Sequence, residues 1–147
     1  GKEIQDSLEE IIKSYPEVVG THDMLIHNYG PNRYLVSFHA EVDGSQDIYM
    51  LHDAIDNLEK DIANKLDIIC TIHLDPIVTD DELINEKKRI VCEIVTEELG
   101  EKASIHDFRV VAGDTHTNMI FDIVLPFESK LSESEAVSIT QNEVLKK

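Results

Sequence analysis

Tryptophan is absent and aromatic residues make up only 5% of the 147-residue chain. Any core must therefore be built from Ile, Val and Leu. Bases are scarce as well: thirteen Lys and Arg stand against thirty Asp and Glu, a net charge of -17. That balance argues against nucleic acid or an anionic lipid surface as partner, because phosphate contacts need clustered cations. It favours divalent cations through long-range, screened attraction, although solubility alone would also account for it. There are two cysteines, Cys70 and Cys92, and no CxxC. Cys70 shares strand parity with Ile68, Ile72 and Leu74, which points to a buried, inert thiol and fits a cytosolic setting. No apolar run approaches the roughly 20 residues of a membrane helix, and no signal peptide is visible. The chain begins Gly1-Lys2 rather than with Met, and is read as an excised fragment with Gly1 a tag remnant. Ser-His-Asp ordering, a nucleophile elbow and a phosphate-cradling glycine loop are all missing, so no enzyme motif is present.

What is there is periodicity. Apolar residues make up 41% of the chain, enough for a core. Ile4, Leu8, Ile11 and Ile12 recur at helical spacing up to Tyr15-Pro16. His22 to Tyr29 reads as a strand, Gly30-Pro31-Asn32 as a turn, and Tyr34, Val36, Phe38, Ala40 and Val42 as the apolar face of a second strand. A helix over about 47–66 carries Ile48, Leu51, Ile55, Leu58, Ile62 and Leu66 on one face. "IICTIHLDP" reads as a third strand. Thr79 and Glu82 form a capping box for a helix over 80–99 that Gly100 stops. The pattern then returns: "SIHDFRVV" and "NMIFDIVLP" as strands about a "GDTHT" turn, and a last helix capped by Ser132 and Glu135. "THDMLI" is echoed in "IHDFRV", the mark of a degenerate duplication. An α+β architecture follows, with small, mostly antiparallel sheets and helices on one face. The units divide at residues 1–78 and 79–147. The second is a degenerate αββα repeat without a closing strand.

His22, His39 and His73 are candidate metal ligands. His39 lies on the polar parity of its strand, His73 and Asp75 share one parity of theirs, and His22 opens the first strand. Three imidazoles and a carboxylate meeting at neighbouring strands would make a Zn-type site, and nitrogen with oxygen also suits Ni, Co, Mn or Fe. Taken singly, an exposed strand histidine is more often a surface residue, and the spacing has no local zinc signature. The coincidence of parities is what raises the case. His27 has the opposite parity to His22 and is expected to face elsewhere. His106 and His116 mirror the first repeat only in part, because Asp122 stands where a second histidine would be. Asp56 and Glu59 read as a solvated helix face.

"HDMLIHNYGPNRYLVSFHAEVDG", "LHDAIDNLE" and "IHLDP" together resemble the cytoplasmic C-terminal domain of the cation diffusion facilitator family. The resemblance covers about residues 5–78; the remainder is similar to an added repeat found in some bacterial members. It implies a ferredoxin-like αββαβ fold on the cytoplasmic face of the cell membrane. It also implies a homodimer attached to an N-terminal transmembrane domain that exports divalent cations such as Zn²⁺ in exchange for protons. By the same resemblance His22, His39, His52, His73 and Asp75 match the family's ligands, with Asp75 able to bridge two ions. His27 matches none. The expectation is a regulatory, metal-sensing dimerisation domain and not an enzyme. A constitutive dimerisation module is the alternative, and a binuclear metallohydrolase a more distant one.

Overall fold

The computed structural model describes residues 2–127 and 129–146. It holds two compact units, Gly1–Ile77 and Val78–Lys147. The first runs α1 (Lys2–Lys13), β1 (Val18–Gly30), β2 (Arg33–Asp43), α2 (Ile48–Leu66) and β3 (Ile69–Ile77), the αββαβ order of a ferredoxin-like domain. The second runs α3 (Asp81–Leu99), β4 (Ser104–Ala112), β5 (Thr117–Val124) and α4 (Glu133–Leu145). It ends on α4, with no closing strand among the described residues. Among those residues no helix is long and apolar enough to cross a membrane.

β2 is the centre of the first unit. It pairs antiparallel with β1 and parallel with β3. The parallel pairing of β2 with β3 sits beside antiparallel hairpins, as a mostly antiparallel sheet allows, and its cause lies in the connection. Between two parallel strands the chain must travel back the length of the sheet. The 19 residues of α2 cover about 28 Å at helical rise, which matches the roughly 30 Å spanned by the nine residues of β3. Asp47 caps α2 at its start, its side chain accepting from the Tyr49 N–H, and Asp67 ends it in the left-handed region at φ 52°.

The core follows from two periods. Val36, Phe38, Ala40 and Val42 alternate along β2 and are buried with Leu51, Ile55, Leu58 and Ile62 of α2 and Leu8 and Ile12 of α1. Each fully buried side chain of this size contributes about 1.5–3 kcal/mol. Both helices therefore cover one face of the sheet and leave the other open. One expected solvated residue is otherwise engaged. Glu59 is half-buried on α2 and its carboxylate accepts the backbone N–H of Ile72 at 2.8 Å, whereas Asp56 pairs with Lys60 in solvent at 2.7 Å.

In the second unit Val91, Val95, Leu99, Ala103 and Ala136 form the buried cluster, against which Phe108, Phe121 and Ile123 pack. The α3 cap is Asp80 rather than Thr79. Its carboxylate accepts from the N–H groups of Glu82 and Leu83 at 3.0 and 3.2 Å, and an Asp side chain serves as well as a Thr at that place. Ser132 caps α4 as its capping box requires, accepting from Glu135 N at 3.2 Å.

The two hairpins share an irregularity. Between His22 and Leu25, β1 inserts an extra residue against β2, and Asp23 takes φ 52°. Between His106 and Arg109, β4 does the same against β5, and Asp107 takes φ 54°. In both, a His-Asp pair opens a bulge, with the Asp in the left-handed region that Asp tolerates better than most residues.

Candidate metal centre

The open face of the first unit carries the candidate ligands in rows. His22 of β1 pairs in register with His39 of β2, and His39 pairs with His73 of β3. Paired residues project to the same face, so three imidazoles stand side by side across three strands. Ring centroids are 4.7 Å apart for His22 and His39 and 4.6 Å for His39 and His73. The next row is Gly20, Glu41 and Asp75. One residue's step of two along the pleat puts the carboxylates directly beside the imidazoles.

Asp75 is the hub. Its Oδ2 lies 3.0 Å from His22 Nε2 and 3.0 Å from His39 Nδ1, and its Oδ1 lies 3.2 Å from His73 Nε2. The side chains of Asp75 and His22 are 10% and 13% exposed, that of His39 36% and that of His73 68%. The site thus grades from a sheltered end at His22 to an open end at His73. Ligand atoms of His22, His39 and Asp75 all lie within 4.8 Å of one another. Two donors about 2.1 Å from one tetrahedral ion stand about 3.4 Å apart. A few tenths of an ångström of outward movement would therefore admit an ion between Asp75 and the two imidazoles. Two imidazole nitrogens and a carboxylate oxygen form a donor set suited to a borderline divalent cation. His73 reaches the other oxygen of the same carboxylate, which is the arrangement a bridging carboxylate needs.

His52 is exposed on α2, next to buried Leu51. α2 packs on the core face of the sheet, and His39 projects from the other, so one protomer does not bring His52 to the cluster. His27 was expected to face away from His22, and it does not. The bulge at Asp23 spends an extra residue, which reverses parity beyond it. His27 pairs with Leu35, on the face of His39. Distance rather than direction separates it from the cluster, because Leu35 lies four residues from His39, about 13 Å along the strand. Strand β1 also begins at Val18, so His22 sits within it rather than opening it.

Glu41 escaped the sequence reading. It is 1% exposed, and its Oε2 lies 3.2 Å from Nδ1 of His22. The signal was available: Glu41 stands two residues after His39, hence on the same face. Cys70 points to the core side, and burial, reinforced by the charge of Glu59, pushes its thiol up to about 12, so it offers no thiolate at neutral pH. In the second unit His106 pairs in register with Asp122, the places of His22 and His39, and its Nε2 meets Ser104 Oγ at 3.1 Å. His116 lies in the β4–β5 turn beside Thr115.

The family model for the cytoplasmic domain of cation efflux proteins matches residues 1–77. Among solved structures, the metal-bound C-terminal domain of the CzcD transporter from Thermotoga maritima is 25% identical, with a TM-score of 0.47 over 50% of this chain and 87% of that one. The cytosolic domain of a cation diffusion facilitator family protein is 25% identical, with a TM-score of 0.46 over 50% and 89%. CzrB in its Zn form is 28% identical, with a TM-score of 0.43 over 51% and 82%. No curated protein matches the chain. With more than half of its residues spanned by the family model, the chain belongs to the cation efflux protein family, of which its first unit is the cytoplasmic domain.

Proposed function

We propose that this chain senses divalent metal and dimerises, as the cytoplasmic part of a proton-coupled cation efflux transporter whose membrane domain precedes it. One observation carries the reading: three imidazole nitrogens within 3.2 Å of the oxygens of a single, largely buried carboxylate, Asp75. His22, His39 and Asp75 would hold one ion. His73, on the outer oxygen of Asp75, would contribute to a second. An ion supplies positive charge and directional bonds that tie strands of the sheet together and, where a partner adds a ligand, tie two chains together. Zn²⁺ is the expected ion, and Mn²⁺, Co²⁺, Fe²⁺ and Ni²⁺ suit the same donors.

The second chain is a copy of the first. Leu25, Leu35 and Ile69 are exposed on the same open face as the histidines, and a half-apolar sheet face is ordinarily covered. Val124 of the second hairpin is exposed as well. His52 is assigned to the partner's site. A helix and the sheet it covers lie about 10 Å apart, so His52 reaches a histidine cluster on the far face only from another protomer. Metal then biases the domain toward the dimer arrangement that completes the ligand set, because a ligand shifts an equilibrium only by its differential affinity for the two states. The membrane domain reads that shift. The exposed apolar patch would also support a dimer that forms without metal, and one experiment separates the two readings.

That experiment mixes His52→Ala with His39→Ala protein and measures zinc affinity, with scattering to follow association. Heterodimers regain one intact composite site, so affinity is expected to return in part on mixing, and zinc is expected to compact the wild-type dimer. No recovery, despite demonstrated subunit exchange, refutes the contribution of His52 across the dimer. Scattering that is identical with zinc and with chelator leaves dimerisation constitutive.

A further inference from the structure

We infer that Glu41 is a positioning residue that fixes His22 for metal, and that Gly20 is the gap that lets it do so. The inference rests on the metal reading above and extends it to residues that no ligand set includes. Glu41 is a carboxylate with 1% exposure, and burial of a carboxylate is costly unless the charge is used. Its Oε2 lies 3.2 Å from Nδ1 of His22, while Nε2 of the same ring lies 3.0 Å from Asp75 Oδ2. His22 therefore stands between two carboxylates, one at each nitrogen.

A neutral imidazole has one N–H to give. When a metal takes the Nε2 lone pair, that N–H sits at Nδ1, where the Glu41 carboxylate is placed to accept it. Glu41 thus favours the tautomer and the ring orientation in which Nε2 can take a metal. A carboxylate on the far nitrogen of a metal-bound histidine fixes its ring and raises its basicity.

Gly20 faces Glu41 in register across β1 and β2. A Cβ at residue 20 would stand 3.1 Å from Glu41 Oε2 and 3.3 Å from its carboxyl carbon. A side chain there would press on the carboxylate, which would have to give by a few tenths of an ångström. Glycine is otherwise a poor strand residue, and its place opposite Glu41 accounts for it.

The test measures zinc affinity by competition with a chromophoric chelator in wild-type, E41A, E41Q and G20A protein, and reads the His22 tautomer of each zinc-loaded sample by long-range ¹H–¹⁵N correlation. Wild type is expected to carry its proton on Nδ1 and zinc on Nε2. E41A is expected to lose about 10–100-fold in affinity, the usual cost of removing such a partner, and G20A to move the same way by less. E41Q keeps an oxygen that accepts from Nδ1–H, so it is expected to retain the tautomer and to recover part of the affinity. Wild-type affinity in E41A, or zinc on Nδ1 in wild type, overturns the inference while the metal site stands. A wild-type protein that binds no zinc overturns the metal reading, and the inference with it. Melting temperatures in chelator report whether each variant is folded. If E41A does not fold, the wild-type and E41Q tautomers decide.

Discussion

Asp75 presents both carboxylate oxygens to imidazoles, with His22 and His39 at Oδ2 and His73 at Oδ1. It thus links all three histidines of the row. Its replacement should therefore weaken the site more than removal of an outer partner does. Asp75→Asn keeps the size of the side chain but removes the charge and one acceptor oxygen. The expected loss of zinc affinity is at least the roughly 10–100-fold range of outer partners, with the far-UV spectrum unchanged, because Asp75 is no part of the apolar cluster. Competition with a chelator checks this, and near wild-type affinity would show that the histidines bind without it.

α1 and α2 are joined by more than apolar packing. Tyr15, just past α1, donates its hydroxyl to the Asp61 carboxylate on α2 while its ring packs against the core. Burial, the hydrogen bond and the charges of Asp61 and Glu17 push its phenol up to about 12 from an ordinary 10.0. The folded state therefore holds this proton more tightly than the unfolded chain. The resulting stabilisation is complete below about pH 10 and is lost as pH rises toward 12. Tyr15→Phe is expected to cost about 1 kcal/mol near neutral pH, and the gap from wild type to close between pH 10 and 12. Urea unfolding at pH 8 and above pH 11 measures both. A gap that persists at high pH would assign the loss to packing.

On the proposed reading, two copies at -17 each repel, and a shared divalent ion would offset that repulsion where they meet. A metal that binds the folded site and not the unfolded chain would stabilise the fold. At a free concentration of about one hundred times its dissociation constant the gain is about 2.7 kcal/mol. Ligation needs deprotonated imidazoles, so protons compete and the gain should shrink as pH falls through the acid range. Differential scanning calorimetry with zinc and with chelator, at neutral and acid pH, is the check. Equal melting temperatures at neutral pH would exclude a tight site.

Periodicity alone identified most of the elements. Alternation of Val36, Phe38, Ala40 and Val42 against His39 set the two faces of β2, and the helical spacing from Leu51 to Ile62 set the buried side of α2. Both follow from local backbone geometry, which repeats every two or 3.6 residues whatever surrounds it. The strings about His22, His39, His52 and His73 were also legible, and they pointed to the family that the first unit matches. Period says which face a residue takes but not which residue stands beside it, and a single bulge reverses the count. The left-handed Asp23 moved His27 to the face of His22 against the parity of the sequence. The parallel pairing of β2 with β3, imposed by the return path through α2, brought His73 beside His39 and Asp75 beside Glu41. Gly20, twenty-one residues earlier, leaves room beside the buried Glu41 carboxylate. Tertiary structure decided these neighbours because register, unlike face, depends on how separate strands meet.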